Sequence, residues 1–359
     1  MKNKPIEALY IHIPFCAHLC DYCDFPKLQY FRNFASDYLI SLKRELDSYN
    51  IDREQIKSIY VGGGTPTALE DDLFLELLKI IKPYNVGVEE YTFEANPESL
   101  TESKIKLLKE YGVNRISLGV QSTDNRVLNA INRKHSYSDV VKAINLLQQY
   151  DITNINVDLI LGLPHSSKKL LINDLERLTS LGIKHLSCYA LTIHPHTVLF
   201  NKGYQELDDE QMREYYDIVN DFLSEKGFIH YEVSNWSKPG YESKHNYTYW
   251  RNDQYYGVGL GASGYIDDIR YKNTVNLDKY LKGECIQEKE IVTPKDKLTY
   301  QIMLNLRTNE GLDVSFVKDK EDAIKELISG DLLKLENNRL IPTYEGMMVL
   351  DQIVLQLIP

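Results

Sequence analysis

The feature that most constrains this fold is the alternation of short apolar segments with longer amphipathic segments over roughly the first 230 residues. This alternation is typical of parallel strands joined by crossover helices. Six segments rich in Ile, Val, Leu and Tyr are predicted strands: Ala8–Ile13, Ile56–Val61, Tyr91–Glu94, Arg115–Val120, Ile155–Ile160 and His185–Leu191. Six strand–helix units do not close a barrel. The sequence therefore predicts an α/β fold, a partial, three-quarter (β/α)6 barrel of the TIM type with an open side.

Helical patterns lie between the predicted strands. The clearest runs from Ser136 to about Gln149, where Ser136 and Asp139 form a capping-box pattern ahead of an apolar stripe. Further helices are expected to follow Thr101 and Ser167.

The alternation ends beyond Gly227, and the chain then divides into two regions of different character. Residues 231–292 are rich in Tyr, Asn and Gly, which indicates an irregular insertion or lid. Residues 293–359 show helical patterns at Lys295–Leu306 and Ile324–Ser329, a hairpin turning at Asn337 and Asn338, and a helix from about Tyr344. We therefore predict a core barrel over 1–230, an accessory or lid segment over 231–292, and a small winged-helix-like α+β domain over 293–359.

The charge balance narrows the classes of partner. The chain has 41 Lys and Arg against 52 Asp and Glu, a net charge of −11, so no nucleic-acid partner is expected. No apolar run approaches the length of a membrane span, and a proline and charges precede any signal-like stretch at the N-terminus. We expect a cytoplasmic protein whose membrane contact, if any, is peripheral and made through an acceptor protein.

Three of the five cysteines lie in a CxxxCxxC pattern directly after the first predicted strand: Cys16, Cys20 and Cys23. Three thiolates are one short of the set that tetrahedral zinc or a fully ligated iron–sulfur cluster requires. A 4Fe-4S cluster held in this way keeps one iron open to a small molecule. Structural zinc completed by His18 or Asp24 and buried free thiols are the alternatives. Cys188 and Cys285 have no partners nearby in sequence and are predicted to be bystander thiols.

Six segments together carry a family resemblance: YIHIPFCxxxCxYCDF, YVGGGTPT, FEANPES, NRISLGVQS, VDLILGLP and HNYTYWRN. The cysteine loop and the GGGTP run resemble the radical S-adenosylmethionine superfamily. The whole set, in order along nearly the full chain, resembles the HemW family of haem chaperones, which is related to the anaerobic coproporphyrinogen III oxidase HemN. The resemblance implies a 4Fe-4S cluster, S-adenosylmethionine and haem as bound groups. It also implies transfer of haem to acceptor proteins of unknown identity.

The motif residues fall where a ligand site would form, because loops at the carboxyl ends of parallel strands build the sites of barrels. Gly62–Gly64 brings backbone without Cβ atoms to that end, and Arg133 can clamp a carboxylate through two hydrogen bonds. By similarity to the family, the candidate contacts of S-adenosylmethionine are Tyr10, Tyr22, Gly63, Gly64, Thr65, Glu94, Gln121, Arg133 and Asp158.

Two positions bear on function within the family. HemN has a further cysteine two positions after the third, where this chain has Phe25. This departure favours the chaperone over the alternative function, an oxygen-independent coproporphyrinogen III oxidase, and leaves enzymatic activity uncertain. His245 lies in a segment that resembles the HNxxYW motif associated with haem binding, and a neutral imidazole is a suitable haem ligand. His194 and His196, after the sixth strand, are alternative ligands.

Overall fold

The computed structural model describes residues 5–359. Its strands, in chain order, are β1 (Ala8–Ile13), β2 (Phe15–Cys16), β3 (Leu28–Gln29), β4 (Ser58–Gly63), β5 (Glu90–Ala95), β6 (Arg115–Gln121), β7 (Asn154–Leu161), β8 (His185–Ala190), β9 (Ile229–Glu232), β10 (Asn235–Ser237), β11 (Tyr255–Val258), β12 (Ser263–Ile266), β13 (Ile269–Asn273), β14 (Ile286–Ile291), β15 (Leu312–Asp313), β16 (Leu333–Glu336) and β17 (Arg339–Pro342). Its α-helices are α1 (Arg32–Ser48), α2 (Asp71–Ile81), α3 (Glu102–Glu110), α4 (Asn125–Ala130), α5 (Tyr137–Gln149), α6 (Lys168–Thr179), α7 (Val198–Asn201), α8 (Asp209–Glu225), α9 (Lys244–Trp250), α10 (Leu277–Leu281), α11 (Pro294–Asn305), α12 (Glu321–Ser329), α13 (Tyr344–Met348) and α14 (Leu350–Leu357).

The centre of the molecule is a run of parallel strands in the order β11-β1-β4-β5-β6-β7-β8. All six predicted strands are present, each within two residues of its predicted bounds. The predicted barrel architecture is confirmed, with β11 as a parallel strand that the sequence pattern did not reveal.

The helices between the strands begin where their capping residues predict. Ser136 and Asp139 form both bonds of a capping box at the start of α5. The Thr101 side chain accepts from the Lys104 amide at the start of α3, and Ser167 accepts from Leu170 at the start of α6. The apolar stripe of α5 is buried against the sheet. The face of the central strands toward the helices is therefore apolar and covered, while the face toward the barrel interior also carries polar side chains, among them Ser117, Asn156 and Asp158.

The prediction of an irregular insertion or lid over 231–292 is wrong. This region extends the sheet on both sides: β9 and β10 add antiparallel to β8, while β11 pairs with β1 and carries the antiparallel strands β12–β14. The strands are short and contain glycines, which hide strand periodicity. At Gly257, a Cβ would lie 1.7 Å from the Ser263 carbonyl oxygen, so close pairing of β11 with β12 requires glycine at this position.

The C-terminal region is a small α+β unit. Its antiparallel sheet has the order β15-β17-β16, and α11, α12 and α14 pack beside it around a second apolar core. The predicted hairpin turns at Asn337 and Asn338, which both adopt positive φ. The boundaries proposed between the three parts of the chain stay predictions. No helix within residues 5–359 is long and apolar enough to cross a membrane.

Candidate functional site

A cavity of about 360 Å³ opens at the carboxyl ends of the barrel strands. Eleven of the thirteen predicted site residues line it: Cys16, Cys20, Tyr22, Cys23, Gly63, Gly64, Thr65, Glu94, Gln121, Arg133 and Asp158. They come from the loops after β1 and β4, from the ends of β5, β6 and β7, and from the segment after α4. Residues distant in sequence therefore meet at one site because parallel strands end at the same edge.

The cysteine loop is held against the barrel by backbone bonds. Its two ends are joined by β2 and β3, where Phe15 pairs with Leu28 in parallel. In its middle, the Asp21 amide donates to the Ile131 carbonyl at 3.1 Å, and the Asp21 carbonyl accepts from Leu199 at 3.0 Å. The backbone of the loop is thus fixed on both sides by hydrogen bonds to the rest of the chain.

Two of the three thiols, those of Cys16 and Cys23, lie where burial opposes ionisation. Burial raises the pKa of Cys16 to about 12, although a hydrogen bond from Thr65 partly opposes this rise. Burial also raises the pKa of Cys23, and the nearby Lys27 charge lowers it. Arg133 Nη1 lies 3.6 Å from Cys20 Sγ. Cysteine ligates metals as the thiolate, so a bound metal would supply the positive charge that favours ionisation of these thiols.

Within residues 5–359, no three His, Cys, Asp or Glu side chains are close enough to hold one metal ion. A four-iron cluster separates its thiolate ligands more widely than one tetrahedral ion does. Three cysteines on one cavity wall fit the donor set of such a cluster with one iron left open.

The glycine run Gly62–Gly64 at the end of β4 forms a wall that side chains would block. Gly63 adopts φ +109°, and a Cβ at this position would lie 2.4 Å from the His12 ring. A Cβ at Gly62 would lie 2.6 Å from the Glu94 carboxyl carbon. The Gly63 amide donates to Glu94 Oε2 at 2.9 Å, and the Tyr60 hydroxyl donates to Oε1 at 2.8 Å. Burial nevertheless raises the pKa of Glu94 to about 7.

Two buried polar atoms on the cavity wall have no partner within the described chain: Arg133 Nε and Gln121 Oε1. Arg133 is 5% exposed, and its Nη2 donates to Asn96 Oδ1 at 3.0 Å and to the Gly119 carbonyl. Gln121 has φ +69° at the end of β6, which turns its backbone out of the strand. Buried polar groups normally have partners, so these two atoms fit a polar ligand that supplies them.

Asp158 contributes a second, half-buried carboxyl to the cavity. Ser117 Oγ donates to one of its oxygens at 3.2 Å, and Asn156 Nδ2 donates to the other at 2.8 Å. Burial raises the pKa of Asp158 above its usual range, while these hydrogen bonds oppose the rise. The inner wall of the cavity thus carries the carboxyls of Glu94 and Asp158 and the guanidinium of Arg133, a combination suited to a ligand with both cationic and anionic groups.

The outer rim of the cavity carries Phe25 and His194. The Phe25 side chain is 63% exposed, so the position where the oxidase has a cysteine presents an apolar ring to the opening. His194 Nε2 lies 3.3 Å from Asp24 Oδ2, and His18 also lines the rim. His196 is exposed and does not line this cavity. Of the two alternative haem ligands, the structure brings only His194 to the opening.

Tyr10 and His245 are the two predicted site residues that the structure does not bring to the cavity. Tyr10 lies deeper in the barrel, where its hydroxyl bonds with His12 Nδ1 at 2.9 Å. His245 is 0% exposed in α9, at the opposite end of the barrel. Both of its ring nitrogens have partners, Ser58 Oγ at 2.9 Å and the Tyr249 hydroxyl at 2.7 Å. In this arrangement no nitrogen of His245 is open to haem iron.

Sequence reasoning missed Tyr60 and Asn96, which both line the cavity. Asn96 donates to Thr65 Oγ1 at 3.2 Å and accepts from Arg133, so it joins two walls of the site. The signal for Tyr60 was its even spacing from Gly62 along β4, since alternate strand residues share a face. The signal for Asn96 was its place directly after β5.

The geometry agrees with comparisons to known proteins. Residues 10–195 match the model of the radical SAM superfamily, and residues 292–349 match that of the HemN C-terminal domain. The chain is 38% identical to the heme chaperone HemW of Lactococcus lactis over 96% of this chain and 95% of that protein. It is 34% identical to the heme chaperone HemW of Bacillus subtilis over 96% and 97%.

A solved structure shows the same fold at lower identity. The structure of coproporphyrinogen III oxidase HemN from Escherichia coli, described as a radical SAM enzyme, superimposes with a TM-score of 0.84. It covers 99% of this chain and 90% of that chain at 20% identity. Full-length similarity to the HemW relatives, together with the matches of both parts of the chain, shows that this chain belongs to the HemW family of radical SAM proteins.

Proposed function

We propose that this protein is a haem chaperone, which binds haem and passes it to acceptor proteins. The observation that carries the proposal is similarity along almost the whole chain to two proteins named heme chaperone HemW, at 38% and 34% identity. In this function haem is the bound cargo, and it is transferred to acceptor proteins of unknown identity. The net charge of −11 gives no support to a nucleic-acid partner.

The cavity supports a 4Fe-4S cluster and S-adenosylmethionine as bound groups. Cys16, Cys20 and Cys23 would hold the cluster, which when bound would supply one-electron chemistry toward S-adenosylmethionine. Glu94 and Asp158 would accept hydrogen bonds from the cationic and hydroxyl groups of S-adenosylmethionine. Gly63 and Gly64, which lack side chains, would leave room for its methionine end. Arg133 Nε and Gln121 Oε1 are the free donor and acceptor that such a ligand would satisfy.

A haem titration of the anaerobically reconstituted protein tests the chaperone function. We expect a saturable haem absorbance spectrum and subsequent transfer of haem to apomyoglobin, used as a generic acceptor. No saturable spectrum in the wild-type protein would remove the proposal. Reconstituted protein should contain about four irons per chain, and Cys20→Ala should lose them. Zinc in place of iron would instead support the structural-metal alternative.

Oxygen-independent coproporphyrinogen III oxidase is the second candidate function, because the fold matches that of HemN with a TM-score of 0.84. Phe25 opposes it, since an apolar ring cannot replace a thiol at the opening of the cavity. Incubation with coproporphyrinogen III, reductant and S-adenosylmethionine under anaerobic conditions separates the two. We expect no protoporphyrinogen, and its formation would show that the chain is an oxidase.

A further inference from the structure

Helix α9 closes the amino-terminal end of the barrel, opposite the cavity. Its first turn is bound to Glu90 at the start of β5: the carboxylate accepts from Ser243 Oγ at 3.3 Å, from the Lys244 amide at 3.0 Å and from the His245 amide at 2.9 Å. These bonds place the His245 side chain inside the barrel, where it is completely buried.

The His245 imidazole is neutral and held in one orientation. Burial, assisted by the charge of Arg115, lowers its pKa to about 3. Ser58 on β4 and Tyr249 on α9 each bond to one ring nitrogen. A neutral ring carries one donor and one acceptor, so the two hydroxyls can satisfy both.

The ring of His245 packs on Tyr60, which reaches the cavity. The two ring centroids are 5.3 Å apart with an interplanar angle of 32°, and Tyr10 lies on Tyr60 at 6.1 Å. The hydroxyl of Tyr60 donates to Glu94, which also accepts from the Gly63 amide. A continuous set of contacts therefore joins α9 to the carboxyl at the cavity: His245, Tyr60 and Glu94.

We propose that His245 is a positioning residue for the cofactor cavity, which fixes the Tyr60 ring and through it the Glu94 carboxyl. In this role the histidine of the HNYTYW segment acts on S-adenosylmethionine binding from beneath the site and is not the haem ligand. The inference rests on the proposed binding of S-adenosylmethionine, but it does not depend on haem.

The test is a double-mutant cycle on the cluster-reconstituted protein, with the dissociation constant of S-adenosylmethionine measured by equilibrium dialysis. Tyr60→Phe keeps the ring and removes the bond to Glu94, while His245→Ala removes the support of the ring. We expect each to weaken binding about fivefold to tenfold, the effect of one lost hydrogen bond. The double variant should have the same affinity for S-adenosylmethionine as the single variant that binds it less tightly. The reason is that both substitutions act through the contact of Tyr60 with Glu94.

Three further variants separate positioning from general destabilisation. His230→Ala is the control, since His230 is a half-buried histidine stacked on an aromatic ring, Trp236 at 4.2 Å, but does not line the cavity. It should leave S-adenosylmethionine binding unchanged. His245→Gln, which restores a donor and an acceptor, should recover part of the affinity. If His245→Ala does not fold, His245→Gln and its double variant with Tyr60→Phe complete the cycle.

The outcomes are distinct. Additive effects of the two substitutions, or unchanged S-adenosylmethionine binding in His245→Ala, would overturn the inference. Loss of the haem spectrum in folded His245→Ala with unchanged S-adenosylmethionine binding would assign His245 to haem instead. Absence of haem binding by the wild-type protein would remove the chaperone proposal but leave this one standing, because the cycle is measured without haem.

Discussion

At the scale of single residues, the cavity combines polar atoms whose hydrogen-bond partners are present with polar atoms that have none within the described chain. Arg133 Nη2 is bound to Asn96 and Gly119, whereas its Nε has no partner in the described chain. Glu94 accepts two hydrogen bonds but is buried enough that its ionisation is costly. A ligand that brings positive charge to Glu94 and an acceptor to Arg133 would recover both free-energy costs.

Gly63→Ala tests the backbone at the cavity wall. Gly63 combines φ +109° with a position at which a Cβ would lie 2.4 Å from His12, whose ring is held by Pro26 and Tyr10. We expect a loss of roughly 2–4 kcal/mol in the free energy of unfolding, measured by denaturant titration. Gly87→Ala is the control, because Gly87 also has positive φ but no atom within 4 Å, and it should cost only about 1 kcal/mol. Equal losses would show that contact with His12 is unimportant.

Glu94 predicts a pH dependence of S-adenosylmethionine binding. Its pKa is about 7 in the free protein, and a cationic ligand favours the ionised carboxylate. Below pH 7 binding must release a proton, so affinity should fall about tenfold per pH unit as pH decreases, and level off above pH 7. Calorimetry between pH 6 and pH 8.5 measures this, and Glu94→Gln should bind weakly without the dependence. Glu232→Gln is the control, because Glu232 is another buried carboxyl with a pKa of about 7 but does not line the cavity. This variant should keep the pH dependence of S-adenosylmethionine binding.

At the scale of elements, the site depends on how loops and short helices are attached to the strands. The cysteine loop is tied to the segment after α4 and to α7, and α9 is tied to β5. These attachments use backbone amides and carbonyls, which are strong obligatory hydrogen-bonding groups. Elements that look irregular in sequence are therefore fixed in the structure.

Substitution of Glu90 should release α9 from the barrel. Glu90→Ala removes the acceptor of three bonds and leaves Arg115, whose Nε lies 4.0 Å from Glu90, without its carboxylate. We expect a loss of about 3 kcal/mol in stability and faster amide hydrogen exchange in α9. Glu89→Ala is the matched control, because Glu89 makes an exposed ion pair with Lys244 and should cost under about 1 kcal/mol. Unchanged exchange in α9 after Glu90→Ala would show that other contacts hold the helix.

The sequence predicted the elements whose patterns are local and missed those that depend on distant partners. The strands from Ala8–Ile13 onward and the caps at Ser136 and Thr101 follow from periodicity and capping chemistry. Strand β11 has only four residues, and its partner β1 lies at the other end of the chain, so no local pattern announces it. The burial of His245 was missed for the same reason, because Glu90 and Ser58 hold it from strands far away in sequence. Eleven of the predicted site residues line one cavity because strand ends meet there, and their roles in binding are proposals.

At the scale of the whole molecule, two apolar cores are joined by polar contacts. Arg213 on α8 pairs with Glu345, and the Tyr344 hydroxyl donates to Asp217 at 2.8 Å. Arg251 pairs with Glu310, and a β-bridge links Glu232 to Thr308. The C-terminal unit therefore packs against the strands that extend the barrel and does not reach the residues lining the cavity.

This separation predicts that the fold forms without the proposed cluster. The large core lies between the strands and the surrounding helices, and the cysteine loop is held by backbone bonds that need no metal. The triple variant Cys16→Ala, Cys20→Ala, Cys23→Ala should keep its far-ultraviolet circular dichroism and one cooperative thermal transition, with a midpoint within a few degrees of the wild-type apoprotein. Cys188→Ala, which removes a buried thiol on β8, controls for the loss of a thiol from the core. A triple variant without a cooperative transition would mean that the cysteines hold a metal the fold requires, as structural zinc sites do.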